Sequence, residues 1–289
     1  MRYYTLTKES AEPYAYMLPA DINYQIGRNG YFTVAAMESG HYAAGVLQFY
    51  IEPLQDGRDF TSVITFLYVD KAFRRQGVGT LLLMKMDRIL EGARVYHSAF
   101  RMPEGKAFAG MKTFLTEYGY TFRESSLPVY TTQLAKVLDQ KLLERQLPEQ
   151  IRPLSQMNAQ KFRRVFSELE EVGLRPVAAD FEPVVTEYDP ALSSFYHTRS
   201  GSGMFLLKRF PSGRIEPVYL KAKGKNAKKG CLMLISRTLQ QAKELCDGKQ
   251  LVRIFCRSKE SVALVQGLYP KLIAGRELTG SYALRKGAE

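Results

Sequence analysis

Between Thr65 and Leu90 the chain reads TFLYVDKAFRRQGVGTLLLMKMDRIL. An unbroken apolar run with Phe, Tyr and Val gives way to a short loop dense in Arg and Gly. Apolar residues at helical spacing follow: Leu81, Leu82, Met84, Met86, Ile89 and Leu90. The pattern predicts strand, loop and helix in that order. A loop placed where a helix begins leaves the first backbone N–H groups without acceptors, and glycines let an anion approach them closely. Arg74-Arg75-Gln76-Gly77-Val78-Gly79-Thr80 is such a loop, and a pyrophosphate suits its chemistry. Two spaced glycines are also what any tight turn before a helix uses. The string lacks the third glycine of a dinucleotide fingerprint and the Gly-Lys-Ser/Thr of a nucleotide-triphosphatase loop.

Upstream of this unit, residues 1–7 read as an edge strand and Lys8 to Leu18 as a short helical region interrupted by Pro13. Tyr31 to Met37 and Tyr42 to Glu52 are β-rich runs joined by Glu38-Ser39-Gly40-His41, a hairpin signal. Phe60 to Asp70 is the next strand. Downstream come a strand at Val95 to Arg101, a helix at Lys106 to Glu117 and a strand at Val129 to Val137. A polar stretch with Pro148 then reads as a linker.

After the linker the pattern begins again. Ile151-Arg152-Pro153-Leu154-Ser155 parallels Arg2-Tyr3-Tyr4-Thr5-Leu6, and Gln160 to Glu171 is a helix. A hairpin spans Ser193 to Phe210, a strand Ile215 to Ala222, a long amphipathic helix Cys231 to Cys246 and a strand Leu251 to Cys256. Lys259 to Leu268 is a helix, and Tyr282 to Leu284 belongs to a last strand. Corresponding elements keep a nearly constant offset: 150 residues from Arg2 to Arg152, 153 from Gly77 to Gly230, and 150 from Leu115 to Val265. That constancy argues for a tandem repeat of one fold.

A length of 289 residues fits two domains, and an apolar fraction of 45% is ample for buried cores. No run of ~18 apolar residues occurs, and the N-terminus lacks the order of a signal peptide. A soluble, cytoplasmic protein is therefore expected, without membrane partners. Cys231, Cys246 and Cys256 show no paired spacing and histidines stand only at 41, 97 and 197, so neither a disulfide framework nor a metal site is expected. The formal charge of +12 is uneven, about +2 over residues 1–145 and +10 over 146–289. Positive potential suits phosphates of a cofactor. Five lysines lie within residues 221–229, and a solvated loop is the expected reading there, with nucleic acid not the expected partner.

The string Val69-Asp70-Lys71-Ala72-Phe73-Arg74-Arg75-Gln76-Gly77-Val78-Gly79 closely resembles the acyl-CoA motif of the GNAT acetyltransferase superfamily. There an L-x-V strand end leads through an aromatic residue into R-x-x-G-x-G, and Leu67-Tyr68-Val69, Phe73, Arg74, Gly77 and Gly79 match it. The resemblance implies an α/β (α+β) fold of tandem GNAT-like domains, each a mixed, mostly antiparallel sheet flanked by helices. Residues 1–138 would be the acetyltransferase domain, 139–150 a linker and 151–289 a degenerate copy. In that copy Leu232 stands where the first has Gly79, within the longer loop Lys223-Gly224-Lys225-Asn226-Ala227-Lys228-Lys229-Gly230-Cys231-Leu232.

The same resemblance implies an N-acetyltransferase moving an acetyl group from acetyl-CoA, without metal, to an amine by direct attack in a ternary complex. A non-catalytic acyl-CoA sensor or scaffold is the alternative. Leu67, Tyr68 and Val69 would receive the pantetheine arm and the acyl carbonyl. The amides from Arg75 to Thr80, including Gln76, Gly77, Val78 and Gly79, would take the pyrophosphate, with charge from Arg74 and Arg75. The family's glutamate base and tyrosine acid fall on Val63 or Thr65 and on Leu115, none of which carries protons. His97, whose side-chain type has an unperturbed pKa of ~6.5, and Tyr118 are the substitute catalytic candidates, with Glu52 and Asp59 acting through water. The acceptor would be a small-molecule or peptide amine chosen by the loops Ala20 to Gly30 and Leu174 to Leu192. The assembly would be a monomer with pseudo-dimeric domains or a homodimer.

Overall fold

The computed structural model describes residues 1–28, 30–39, 42–53, 60–125, 127–138, 140–170, 185–256 and 258–284. Gly40, His41, Asp59 and residues 174–184, which carry parts of the hairpin, base and acceptor expectations, lie outside them. The chain forms two compact units, Met1–Ser126 with Arg276–Glu289, and Leu127–Gly275.

Unit 1 contains β1 (Arg2–Thr5), α1 (Ala20–Gln25), β2 (Tyr31–Glu38), β3 (Tyr42–Pro53), β4 (Phe60–Val69) and α2 (Val78–Gly92). β5 (His97–Pro103), α3 (Ala109–Tyr118) and β6 (Thr121–Glu124) complete its first segment. Unit 2 contains β7 (Val129–Gln133), α4 (Gln140–Leu143), β8 (Arg152–Pro153), α5 (Ala159–Glu170), β9 (Ser194–Thr198) and β10 (Gly201–Arg209). β11 (Ile215–Gly224), α6 (Ala227–Leu245), β12 (Leu251–Phe255), α7 (Lys259–Leu268) and β13 (Ala274–Gly275) follow, and β14 (Glu277–Ala283) returns to unit 1.

Each unit holds a seven-stranded mixed sheet, ordered β1-β2-β3-β4-β5-β14-β6 in unit 1 and β13-β7-β12-β11-β10-β9-β8 in unit 2. The pairs β4–β5 and β11–β12 are parallel and the others antiparallel. In unit 1, α2 covers β2, β3 and β4 with Leu82, Leu83, Met86 and Leu90, all fully buried. Leu81 and Met84, apolar in the sequence, stay exposed because about 100° per residue carries them off the 82–86–90 line. The opposite face packs Leu6, Tyr14, Met17, Leu18 and Ile26 against Val46, with Phe66 and Tyr68 half-buried beside them. Unit 2 repeats the arrangement. Its α6 buries Leu234, Ile235, Leu239 and Ala242 in one core, and α5 buries Phe162, Val165 and Leu169 in the other.

Two strands change sheets relative to the division at residues 138 and 151. β7, expected to end the first domain, pairs with β12 from Leu251↔Gln133 to Phe255↔Val129. β14, expected to end the second, pairs with both β5 and β6. Alternation along a strand reports which face is buried but not which neighbour it joins, so the local pattern leaves this exchange open. The stretch expected as linker also has structure: α4 packs on α6, where Gln240 Nε2 donates to the carbonyls of Leu143 and Arg145 at 2.9 Å each.

Candidate functional site

β4 and β5 run side by side only from Thr61↔His97 to Ile64↔Phe100. One residue later β4 carries a bulge. Gln48 pairs with Phe66 and Phe49 with Ile64, so Thr65 is the extra residue, and its Oγ1 donates to Gln48 O at 3.2 Å. A bulge bends its strand. Beyond it, β4 from Phe66 to Val69 keeps β3 on one side and has no strand partner on the other among the described residues. Leu67, Tyr68 and Val69 therefore present one backbone edge to a wedge open toward their C-terminal ends, able to hydrogen-bond an extended ligand.

The loop meets the mouth of that wedge. Asp70 accepts from Ala72 N at 2.9 Å and starts a single tight turn over Lys71–Phe73. Arg74 Nε donates to Val69 O at 2.9 Å, bracing the loop on the strand end. Gln76 folds back likewise, donating to Ala72 O at 2.9 Å. Arg75 and Gly77 both adopt left-handed backbone, φ 62° and 79°. At Gly77 this costs nothing, whereas at Arg75 the conformation is strained. The turn leads directly into α2, whose first three amides, Val78, Gly79 and Thr80, have no intrahelical acceptor. Together with the amides of Arg75 to Gly77 they form a concave array of donors, a nest suited to an anion. Arg75 is exposed and has no ion-pair partner among the described residues.

Gly79 has a second reason to be glycine, which the sequence does not disclose. A Cβ there would lie 3.0 Å from Phe114 Cζ, so the ring of α3 closes over the helix start.

The expected proton carriers are elsewhere. His97 is exposed and opens β5 opposite Thr61, three residues or about 10 Å before the strands part. Tyr118, at the end of α3, donates its hydroxyl to Asp87 Oδ2 at 2.6 Å, and its ring packs on Tyr282. Burial, with Asp87 beside it, pushes its phenol far above the usual range, so it is a poor acid. Val63 and Leu115 are buried hydrocarbon. Register places Tyr50, Val63 and Ala99 on one face, together with Glu52, Thr61 and His97. There Glu52 accepts from the Tyr50 hydroxyl at 3.3 Å and lies 4.0 Å from Arg101. Asp87 lies on α2 away from the loop. Its burial was illegible in the sequence because an Asp among helical Leu and Met reads as solvent-facing.

Among the described residues no group of three His, Cys, Asp or Glu side chains could hold a metal ion, and no helix is long and apolar enough to cross a membrane. The three cysteines are free, Cys256 buried and the other two half-buried.

Residues 2–104 match the profile of the Acetyltransferase (GNAT) family. No curated protein matches the chain. Among solved structures, a tandem GNAT protein from the clavulanic acid biosynthesis pathway aligns at TM-score 0.65 and 14% identity, over 99% of both chains. A GCN5-related N-acetyltransferase from Sphaerobacter thermophilus aligns at TM-score 0.57 and 11% identity, over 100% of this chain and 97% of that one. A probable N-acyltransferase from Enterococcus faecalis aligns at TM-score 0.51 and 13% identity, over 98% of this chain and 72% of that one. A sheet that parts after its fourth strand, a donor-rich turn at that point and these alignments agree: residues 2–104 match the GNAT family profile, and the chain has the tandem GNAT fold along its length.

Proposed function

We propose that unit 1 is an acyl-CoA-dependent N-acetyltransferase that moves the acetyl group of acetyl-CoA to a small-molecule or peptide amine. One observation carries this reading: β4 leaves β5 where α2 begins with its amides free, so a strand edge and an anion nest open onto one place. The amides from Arg75 to Thr80 hold the diphosphate, with Arg75 adding charge. The edge from Phe66 to Val69 takes the pantetheine amides and polarises the thioester carbonyl, as fixed donors do for a developing oxyanion. A primary amine attacks that carbonyl within a ternary complex; the C–N bond forms, the C–S bond breaks and CoA leaves as a thiolate. A free thiol has a pKa of about 8.5, so the thiolate departs without a dedicated acid. The amine proton passes to water.

The test is release of free thiol from acetyl-CoA across a panel of amines, with CoA affinity measured in parallel by calorimetry. Amine-dependent release is expected. A second reading, a protein that binds acyl-CoA and senses it, is favoured by the buried hydrocarbon of Val63 and Leu115 at the positions where proton carriers were sought. Measurable CoA affinity with no release for any amine would select it. Absence of both would overturn either reading.

A further inference from the structure

Unit 2 contains a cavity of about 490 Å³ between α6, α7 and its sheet. It lies where β11 leaves β12. That pair holds together only at Ile215↔Val252, because Pro217, two residues on, has no N–H to give a ladder and Val218 is a bulge between Leu206↔Tyr219 and Leu207↔Pro217.

The walls are hydrocarbon, including Phe205, Ile235, Leu239, Val252 and Leu264. Four of the hydroxyls among them are already engaged by the protein. Thr238 donates to Leu192 O at 2.8 Å, and Tyr219 donates to Glu170 at 2.7 Å. Ser258 and Ser261 cap the start of α7 reciprocally, at 3.0 and 3.2 Å. Besides these, only the Cys231 thiol, the Tyr269 hydroxyl and the Glu260 carboxylate add polarity to the wall, so a polar ligand would find few groups inside to replace its water, and water is held poorly in a site with so few polar partners. Packed interiors do not leave voids of this size. Ser258 and Glu260 are exposed, so the cavity reaches solvent at the start of α7.

The geometry points to a binding site for an aliphatic chain, with its polar end at Ser258 and Glu260. At the ~30 Å³ that one water occupies in the liquid, the volume admits about sixteen non-hydrogen atoms, hence a chain of roughly ten to sixteen carbons. Unit 2 is then a lipid-chain site rather than a worn copy of unit 1. This does not rest on the activity proposed for unit 1.

The experiment titrates the full chain with dodecanol, dodecanoate and dodecylamine, with hexanol as the short control, by calorimetry, and maps the bound state by hydrogen exchange. Saturable binding of at least one dodecyl compound, at least tenfold tighter than hexanol, is expected, with slowed exchange confined to α6, α7 and β12. The three head groups report which polar end is accepted. Ala242→Phe, which fills the cavity, should weaken binding at least tenfold. Free CoA should not compete, and Gly79→Leu in unit 1 should leave chain binding unchanged. No saturable binding by any dodecyl compound, protection outside unit 2, competition by CoA, or full affinity in a folded Ala242→Phe variant would each overturn it. The exchange map on the unaltered protein decides the matter if the variant fails to fold.

Discussion

Units 1 and 2 place a bulge at the same point of the same strand, Thr65 in β4 and Val218 in β11, 153 residues apart. Gly77 and Gly230 are separated by the same interval. From there the two diverge. Gly77 caps α2 in left-handed backbone and leaves an open turn before it; Gly230 lies inside α6, which begins three residues earlier at Ala227. The turn that stays open in unit 1 is wound into helix in unit 2: Gly230 N bonds Asn226 O, and the counterparts of Val78, Gly79 and Thr80, at Cys231, Leu232 and Met233, lie far enough into α6 for their amides to be spent on its own carbonyls. Gly230 serves packing instead, since a Cβ there would collide with the hydroxyl of Tyr196. The strand pair differs too, with four parallel pairings in unit 1 and one in unit 2. A fold can thus keep its wedge while exchanging an anion nest for an apolar hollow. Even the half-buried tyrosine–carboxylate pairs diverge: Tyr219–Glu170 has Lys221 at 3.4 Å, whereas Asp87 has no ion-pair partner among the described residues.

The contrast is broken most directly at the nest. Gly79→Leu should cost at least ~100-fold in CoA affinity, about 2.7 kcal/mol by calorimetry, with the circular dichroism spectrum retained. Retained affinity would mean that the diphosphate is held elsewhere. Gly230→Ala should leave CoA affinity intact but destabilise the protein by about 1–3 kcal/mol through overpacking against Tyr196, read as a lowered Tm. An unchanged Tm would remove the packing role that distinguishes this glycine from Gly77.

Asp87→Asn sharpens the comparison of the two carboxylates. Burial raises the Asp87 pKa, against the hydrogen bonds from Tyr118 and Tyr282. A carboxyl whose folded pKa exceeds its unfolded one contributes stability below the unfolded value of ~3.9 and loses it as pH rises through the folded value. The Tm of Asp87→Asn relative to the parent should therefore rise between pH 4 and pH 7; a flat difference would contradict the assignment. The smallest expected effect is Leu232→Gly. Restoring a glycine cannot unwind the extra helical turn, so binding should stay at one CoA per chain, and a second site would show that the side chain alone had closed it.

Much of the nest was legible in advance because it is local. Arg74, Gly77 and Gly79 lie within six residues, and left-handed turns, free helix amides and apolar periodicity are consequences of short-range dihedral preference. The same local logic located the strand and helix order and the 153-residue offset. The brace from Arg74 to Val69 O was not legible, because that carbonyl becomes available only once the loop folds back on β4. His97 and Tyr118 were drawn toward the site by residue type alone, whereas distance along β5 and the bond to Asp87 separate them from it.

The amino-acid order by itself determined most of the strands and helices, their sequence and the chemistry of the turn at Arg74 to Thr80, while α1, within a stretch that reads as a loop, and α4, β6 and β13 were not visible in it. The tertiary structure alone decided that β7 and β14 join each other's expected sheets, that Phe114 closes over Gly79 and that unit 2 holds an apolar hollow. The reason is physical. Periodicity reports one residue's dihedrals and which of its faces is buried, while a strand's neighbour and the volume between elements depend on register among segments far apart in the chain.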